Sequence, residues 1–211
     1  MDGLLLDTER LALAGFETTA RELGLPDLAE MGRSLIGLRS DAVETRLRAT
    51  LPGHVSFETF DSHWSSRFRA ALAEGIPLKP GVTTLLGHLA ATGLPCAVAT
   101  STRTARAREH LEAAGIARHF QAVIGGDQVA RGKPAPDIYH KAAASLGLTA
   151  PDCVAFEDSD PGATAAIASG ARAVQVPDIT PPSPQMREKG HHIAVTLLDG
   201  ARHLGLISAS G

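Results

Sequence analysis

The chain has 211 residues, 44% of them hydrophobic, and a formal net charge of −3. That length fits one domain with a sizeable insertion or two small ones, and the apolar content is ample for a core. The charge balance gives no hint of nucleic acid or an anionic membrane as the main partner, and neither is expected. No apolar stretch approaches the ~18 residues of a membrane-spanning helix, and the N-terminus lacks the basic-then-apolar pattern of a signal peptide. Cys96 and Cys153 both lie in apolar runs. They read as reduced thiols buried in strands, not as a disulfide, so a reducing cytoplasm is the expected compartment.

From Glu9 to about Gly75 the pattern is helical. Leu11, Phe16, Ala20 and Leu23 recur at helical spacing, and Gly24 follows as a stop. Val43, Leu47 and Leu51 form a second stripe. Phe57, Phe60, Trp64 and Phe68 form a third, expected to be core and not a ligand platform. A small helical bundle is predicted.

From Ile76 onward strands and helices alternate. Strands are predicted over Leu94 to Ala99, Phe120 to Ile124, Val154 to Phe156 and Ala173 to Val176. Helices are predicted over Ala105 to Ala114, Asp137 to Leu146 and Pro161 to Ser169, the last with proline in its first turn and Gly170 past its end. Pro177 to Met186 reads as a surface loop, His191-His192 as a loop without a metal role, and Val195 to Leu206 as a closing helix. Strands separated by helices of this length argue for βαβ units and a parallel sheet.

Four segments end a predicted strand or follow one, and the carboxyl ends of strands are where an open parallel sheet binds ligands. They are Asp2-Gly3 with Asp7-Thr8-Glu9, Thr100-Ser101, Lys133-Pro134, and Glu157-Asp158. Carboxylates at two strand ends can hold a hard divalent cation. A hydroxyl beside backbone N–H groups can bind a phosphoryl oxygen, and a lysine can neutralise charge on a transferring phosphoryl group.

The stretches Met-Asp-Gly-Leu-Leu-Leu-Asp-Thr-Glu-Arg, Ala-Val-Ala-Thr-Ser-Thr, Gly-Lys-Pro-Ala-Pro-Asp-Ile-Tyr and Phe-Glu-Asp-Ser-Asp-Pro-Gly resemble, in order, the four motifs of the haloacid dehalogenase superfamily. The chain is most similar to its phosphatase and phosphoglucomutase-like branch. The resemblance implies an α/β fold with a Rossmann-like parallel-sheet core in residues 1–8 and 76–211 and an inserted helical cap in 9–75. It implies a Mg²⁺-dependent phosphatase, expected as a monomer, acting on a small phosphorylated metabolite through an aspartyl-phosphate.

Residue by residue, the resemblance makes Asp2 the acid and base of catalysis, with its carbonyl toward the metal. It makes Thr100, Ser101, Lys133 and Gly3 the phosphate-binding positions, Thr100 and Lys133 also catalytic. Asp158 and Glu157 would be metal positions, Glu157 directly or through water. Arg39, in a cap loop, would read the substrate, and Asp7 and Thr8 would act at the hinge into the cap. The nucleophilic aspartate of the first motif is expected one position before Met1, at the end of a central strand. A chain that starts at Met1 is expected to have a weakened or rearranged sheet and to form no aspartyl-phosphate. Mutases of this branch carry Asp-Thr-Ala followed by a histidine, whereas this chain reads Asp7-Thr8-Glu9-Arg10-Leu11-Ala12, which favours hydrolysis. A mutase, a phosphoacceptor receiver domain and a non-catalytic binding homologue are the competing readings.

Overall fold

The computed structural model describes residues 1–35 and 40–208. The chain divides into two compact units, one of Asp7–Ile76 and one of Met1–Leu6 with Pro77–Gly211.

The first unit is helical, with α1 (Thr8–Glu22), α2 (Pro26–Met31), α3 (Ser40–Thr50) and α4 (Phe57–Glu74). The hydroxyl of Ser56 accepts the Thr59 N–H and so starts α4, satisfying a first-turn donor that the helix cannot. The stripes predicted from the sequence meet in one core, where Phe16, Ala20, Leu47 and Phe60 are all but inaccessible. Phe16 stands edge-on to Phe60 and Trp64, with ring centroids 5.0 and 5.2 Å apart, an arrangement the ring quadrupoles favour. The Trp64 indole N–H is not stranded in this core; it donates to the Ala12 carbonyl at 2.8 Å. The aromatic stripe is core, as expected.

The second unit runs α5 (Val82–Ala91), β1 (Ala97–Ala99), α6 (Thr104–Ala113), β2 (Ala122–Ile124), α7 (Asp137–Ser145), β3 (Val154–Glu157), α8 (Asp160–Ala168), β4 (Arg172–Gln175), α9 (Pro184–Arg187), β5 (His192–Ile193) and α10 (Leu197–His203). Every strand pair is parallel, with Ala99 opposite Ile124 and Glu157 opposite Gln175. Ile124, Ile138, Ala155, Ala165 and Ala166 form the centre of one core cluster. Small side chains on α8 let that helix lie close to the strands, and Gly200 does the same for α10, since a β-carbon there would sit 2.7 Å from Val174.

Among the described residues the parallel strands form two sheets, β1–β2 and β3–β4–β5. Several expectations are corrected. Helix α5 was not foreseen, because Val-Thr-Thr opens it with β-branched residues that favour strands. His192 belongs to β5 and not to a loop, and the Pro-rich segment contains the short α9, started by Pro184 behind the capping hydroxyl of Ser183. Cys96 and Cys153 are free but only half-buried, and each lies one residue before its strand. Among the described residues no helix is long and apolar enough to cross a membrane.

Candidate active site

The parallel strands carry their ends to one edge of the second unit, and four sequence-distant segments are joined there. Strand β1 ends at Ala99, and the ladder continues one step, with the Thr100 N–H donating to the Ile124 carbonyl at 3.0 Å. The Thr100 hydroxyl oxygen then accepts the Thr102 N–H at 3.1 Å. That small turn faces the Thr102 hydroxyl toward the N-terminal segment, where it donates to Asp2 Oδ2 at 2.9 Å. Asp127 secures the far side of the turn: its Oδ1 accepts both the N–H and the hydroxyl of Thr104, at 2.7 and 2.8 Å. Those bonds hold its carboxyl below the ordinary range, the Thr104 amide contributing most. Gly125 is required behind this contact, because a β-carbon would collide with the Thr104 amide.

Lys133 joins β1 to β3. Its Nζ donates to the Ala99 carbonyl at 3.1 Å and forms an ion pair with Glu157 Oε1. The Tyr139 hydroxyl donates to the same oxygen. The Lys133 and Glu157 side chains are only 8% and 4% exposed, so the pair is desolvated and the tyrosine completes its solvation. Burial first, then the Glu157 charge, keeps the Tyr139 phenol protonated far above its ordinary range. Gly162, at the start of α8, leaves room for the Glu157 carboxylate, which any β-carbon at that position would strike.

Asp158 follows β3 directly. Desolvation raises its carboxyl to about 6, against the opposing pull of the Met1 ammonium, with the Glu157 charge adding to the rise. Hydrogen bonds and an ion pair thus link Asp2 to Thr102, Thr102 to Thr100, and the β1 end through Lys133 to Glu157, with Asp158 next along the chain. His110 of α6 stands beside this set, its Nδ1 buried and 3.9 Å from Asp2 Oδ1.

Of the residues singled out from the sequence, Asp2, Thr100, Lys133 and Glu157 lie on this linked set, and Asp158 follows Glu157 directly. Ser101 is exposed beside Thr100. Gly3 sits in the left-handed region at φ 73° and its N–H donates to the Leu6 carbonyl at 2.9 Å, so it shapes the N-terminal turn. Asp7 immediately precedes α1 and accepts a hydrogen bond from Arg10 at 2.6 Å. Arg39 lies outside the described residues. Thr102 and Tyr139 were not foreseen, although both fall within the motif stretches quoted above; no local pattern marks their partners, which lie 100 and 18 positions away. No cluster of three or more His, Cys, Asp or Glu stands ready to hold a metal among the described residues.

The chain is 30% identical over 174 residues to the phosphorylated carbohydrates phosphatase of Thermotoga maritima, an overlap covering 82% of this chain and 81% of that protein. It is 32% identical over 188 residues to protein CbbY of Rhodobacter capsulatus, covering 84% and 82%. A crystal structure of a HAD family hydrolase from Deinococcus radiodurans R1, with bound phosphate and sodium, superimposes with a TM-score of 0.82 at 27% identity, covering 99% of this chain and 95% of that one. The haloacid dehalogenase-like hydrolase family model matches residues 1–176. The chain thus belongs to the haloacid dehalogenase-like hydrolases and has their α/β, Rossmann-like core.

Proposed function

We propose that the protein is a Mg²⁺-dependent phosphatase of small phosphorylated metabolites, sugar phosphates foremost. The observation that supports this most is the linked set of Asp2, Thr102, Thr100, Lys133 and Glu157, with Asp158 directly after Glu157 at the end of β3. The similarity to a phosphatase of phosphorylated carbohydrates supports the substrate class.

In this reading the nucleophile is an aspartate directly ahead of Met1, attacking phosphorus in line as the alcohol leaves. Asp2 gives its proton to the leaving oxygen and later takes one from the water that hydrolyses the aspartyl-phosphate. The Thr102 hydroxyl fixes which Asp2 oxygen faces that exchange. Lys133, held by Glu157, offsets charge on the phosphoryl oxygens, and Thr100 and Ser101 bind them. The helical unit Asp7–Ile76 is read as the substrate-selecting cap.

The donor set suits Mg²⁺, which retains several waters and needs only one or two carboxylates besides phosphate oxygens. Asp158, desolvated, and Asp2 would hold it, with Glu157 at one remove. Bound there, Mg²⁺ neutralises phosphoryl charge.

The test is a polypeptide with an apolar strand ending in aspartate joined ahead of Met1, assayed for phosphate release from a panel of sugar phosphates with and without Mg²⁺. Mg²⁺-dependent release, lost when the added aspartate becomes asparagine or in Asp2→Asn, is the expected result. Release that survives both changes would overturn the mechanism, and none from any ester would overturn the function.

A further inference from the structure

The second unit contains another largely buried ion pair, Lys79 with Asp178, and the phosphatase reading gives it no part. Lys79 Nζ lies 2.5 Å from Asp178 Oδ1, and the two side chains are 15% and 3% exposed. Asp178 stands three residues past Gln175, the last residue of β4, which lies opposite Glu157. Lys79 stands two residues ahead of Gly81, which caps the start of α5. The pair joins positions 99 apart in the sequence.

Lys79 also holds the N-terminal turn through its backbone. Its N–H donates to the Leu5 carbonyl at 2.9 Å, and Leu78 beside it bridges Leu6 in antiparallel sense. Leu6 is inaccessible and bridges Asp2 in turn, while its carbonyl accepts the Gly3 N–H at 2.9 Å. The contacts thus run from Asp178 through Lys79 to Leu5 and Leu6, and on to the backbone of Asp2 and Gly3. The Thr102 hydroxyl holds the Asp2 carboxylate at its tip; this second restraint acts on its backbone. The Lys79 ammonium is committed to a carboxylate that solvent hardly reaches, which sets it apart from a lysine presented to a phosphate.

We infer that Asp178 is a positioning residue for Asp2, acting through Lys79: the ion pair fixes the Leu5–Leu6 leg of the turn, and with it the backbone from which Asp2 reaches the reacting oxygen. A buried pair is a poor device for stability, because desolvation of both charges offsets most of their attraction. It is a good device for direction, because a charge-assisted hydrogen bond tolerates little displacement. An apolar pair of the same size would fill the space without fixing the register of the backbone beside it. For proton transfer that difference matters, since a misplacement of about 1 Å at a reacting group can cost about a hundredfold in rate. The inference rests on the phosphatase reading for what Asp2 does; the restraint itself is read without catalysis.

Backbone hydrogen exchange on chain 1–211 reads the restraint. Asp178→Asn should speed exchange of the Gly3 and Lys79 amides about tenfold, the protection that roughly one hydrogen bond supplies against local opening. The Gln121 amide, bonded to the Cys96 carbonyl between β1 and β2, should keep its rate. Asp178→Asn leaves Lys79 without its counter-charge and can unfold the chain, so Lys79→Met combined with Asp178→Leu is measured beside it. That double variant should melt close to the parent and still show the faster exchange at Gly3 and at position 79. In the polypeptide that carries an aspartate ahead of Met1, the double variant should lower kcat on a sugar phosphate about tenfold and leave KM nearly unchanged. Exchange at Gly3 and position 79 that stays at the parent rate, or that rises equally at Gln121, would overturn the proposal. So would a double variant that recovers kcat together with its melting temperature. Failure of the unsubstituted polypeptide to release phosphate from any ester would overturn the phosphatase reading and the role of Asp2 with it, while the exchange rates still decide whether the pair holds the turn.

Discussion

The Thr102 hydroxyl donates to Asp2 Oδ2 at 2.9 Å, joining two residues 100 positions apart. One oxygen of Asp2 is thereby committed, and the carboxylate is held in a single orientation. In the proposed mechanism Asp2 carries the proton, and a carrier that turns freely spends little time aimed at its target, so the bond is expected to bear on rate more than on stability.

In the polypeptide that carries a nucleophile ahead of Met1, Thr102→Val should lower kcat about tenfold and leave KM nearly unchanged, as expected when one neutral-to-charged hydrogen bond is lost from the transition state. Thr102→Ser should recover most of it. Steady-state kinetics on one sugar phosphate, with melting curves alongside, decide the matter. An equal loss in kcat and in melting temperature for Thr102→Val would mark the bond as structural.

Lys133, Glu157 and Tyr139 behave as one buried unit. Lys133→Met leaves a desolvated carboxylate uncompensated and should cost about 3–5 kcal/mol. Tyr139→Phe removes one donor and should cost about 1–3 kcal/mol. Lys133→Met combined with Glu157→Leu should cost less than Lys133→Met alone, because no charge is then buried. Urea denaturation of the chain and these variants measures all three; strictly additive losses would show that the groups do not share their solvation.

Asp158 gives a pH signature. Its carboxyl stands at about 6 in the folded chain against an ordinary 3.8. An acid raised on folding holds its proton more tightly in the native state, so stability falls as pH rises between those values. The penalty is absent below the lower value and complete above the upper one. Asp158→Asn should therefore raise the melting temperature at pH 8 in the absence of Mg²⁺ and change it little near pH 3.5. Adding Mg²⁺ at pH 8 should stabilise the chain and not the variant. Thermal scans at the two pH values, with and without the cation, check both statements.

Asp127 has the opposite sign. The Thr104 amide and hydroxyl depress its carboxyl below the ordinary value of 3.8. Its contribution is present above that value and disappears as pH falls through the depressed one. Asp127→Ala should thus lower the melting temperature at pH 7, and the difference should close toward acid. A difference that is constant with pH would mean that the carboxylate charge plays no part in holding the Thr104 turn.

Much of the candidate site is legible in the sequence, because its chemistry is concentrated in short stretches where residue type alone is informative. Thr100 and Asp158 each directly follow a strand, and a parallel sheet brings such positions together. What stayed hidden depends on long-range geometry. Tyr139 looks like one more apolar residue of a helix face, and only the approach of β3 turns its hydroxyl into a donor for Glu157. Which strand each segment pairs with was equally out of reach, since strand propensity says that Ala97 to Ala99 is extended and not which neighbours it keeps. Helix α5 was missed for a local reason: tertiary packing of Val82, Leu85 and Leu86 overrides a β-branched start.

The indole of Trp64, bonded to the Ala12 carbonyl within the aromatic cluster, has a practical corollary. It is the single tryptophan of the chain, and Tyr139 the single tyrosine. One lies in the helical unit and the other in the unit that bears the strands. Selective excitation of the indole therefore watches the helical unit melt on its own, while near-ultraviolet absorbance of the phenol follows the other. Noncoincident traces would reveal the order in which the halves come apart, without a label or a truncation.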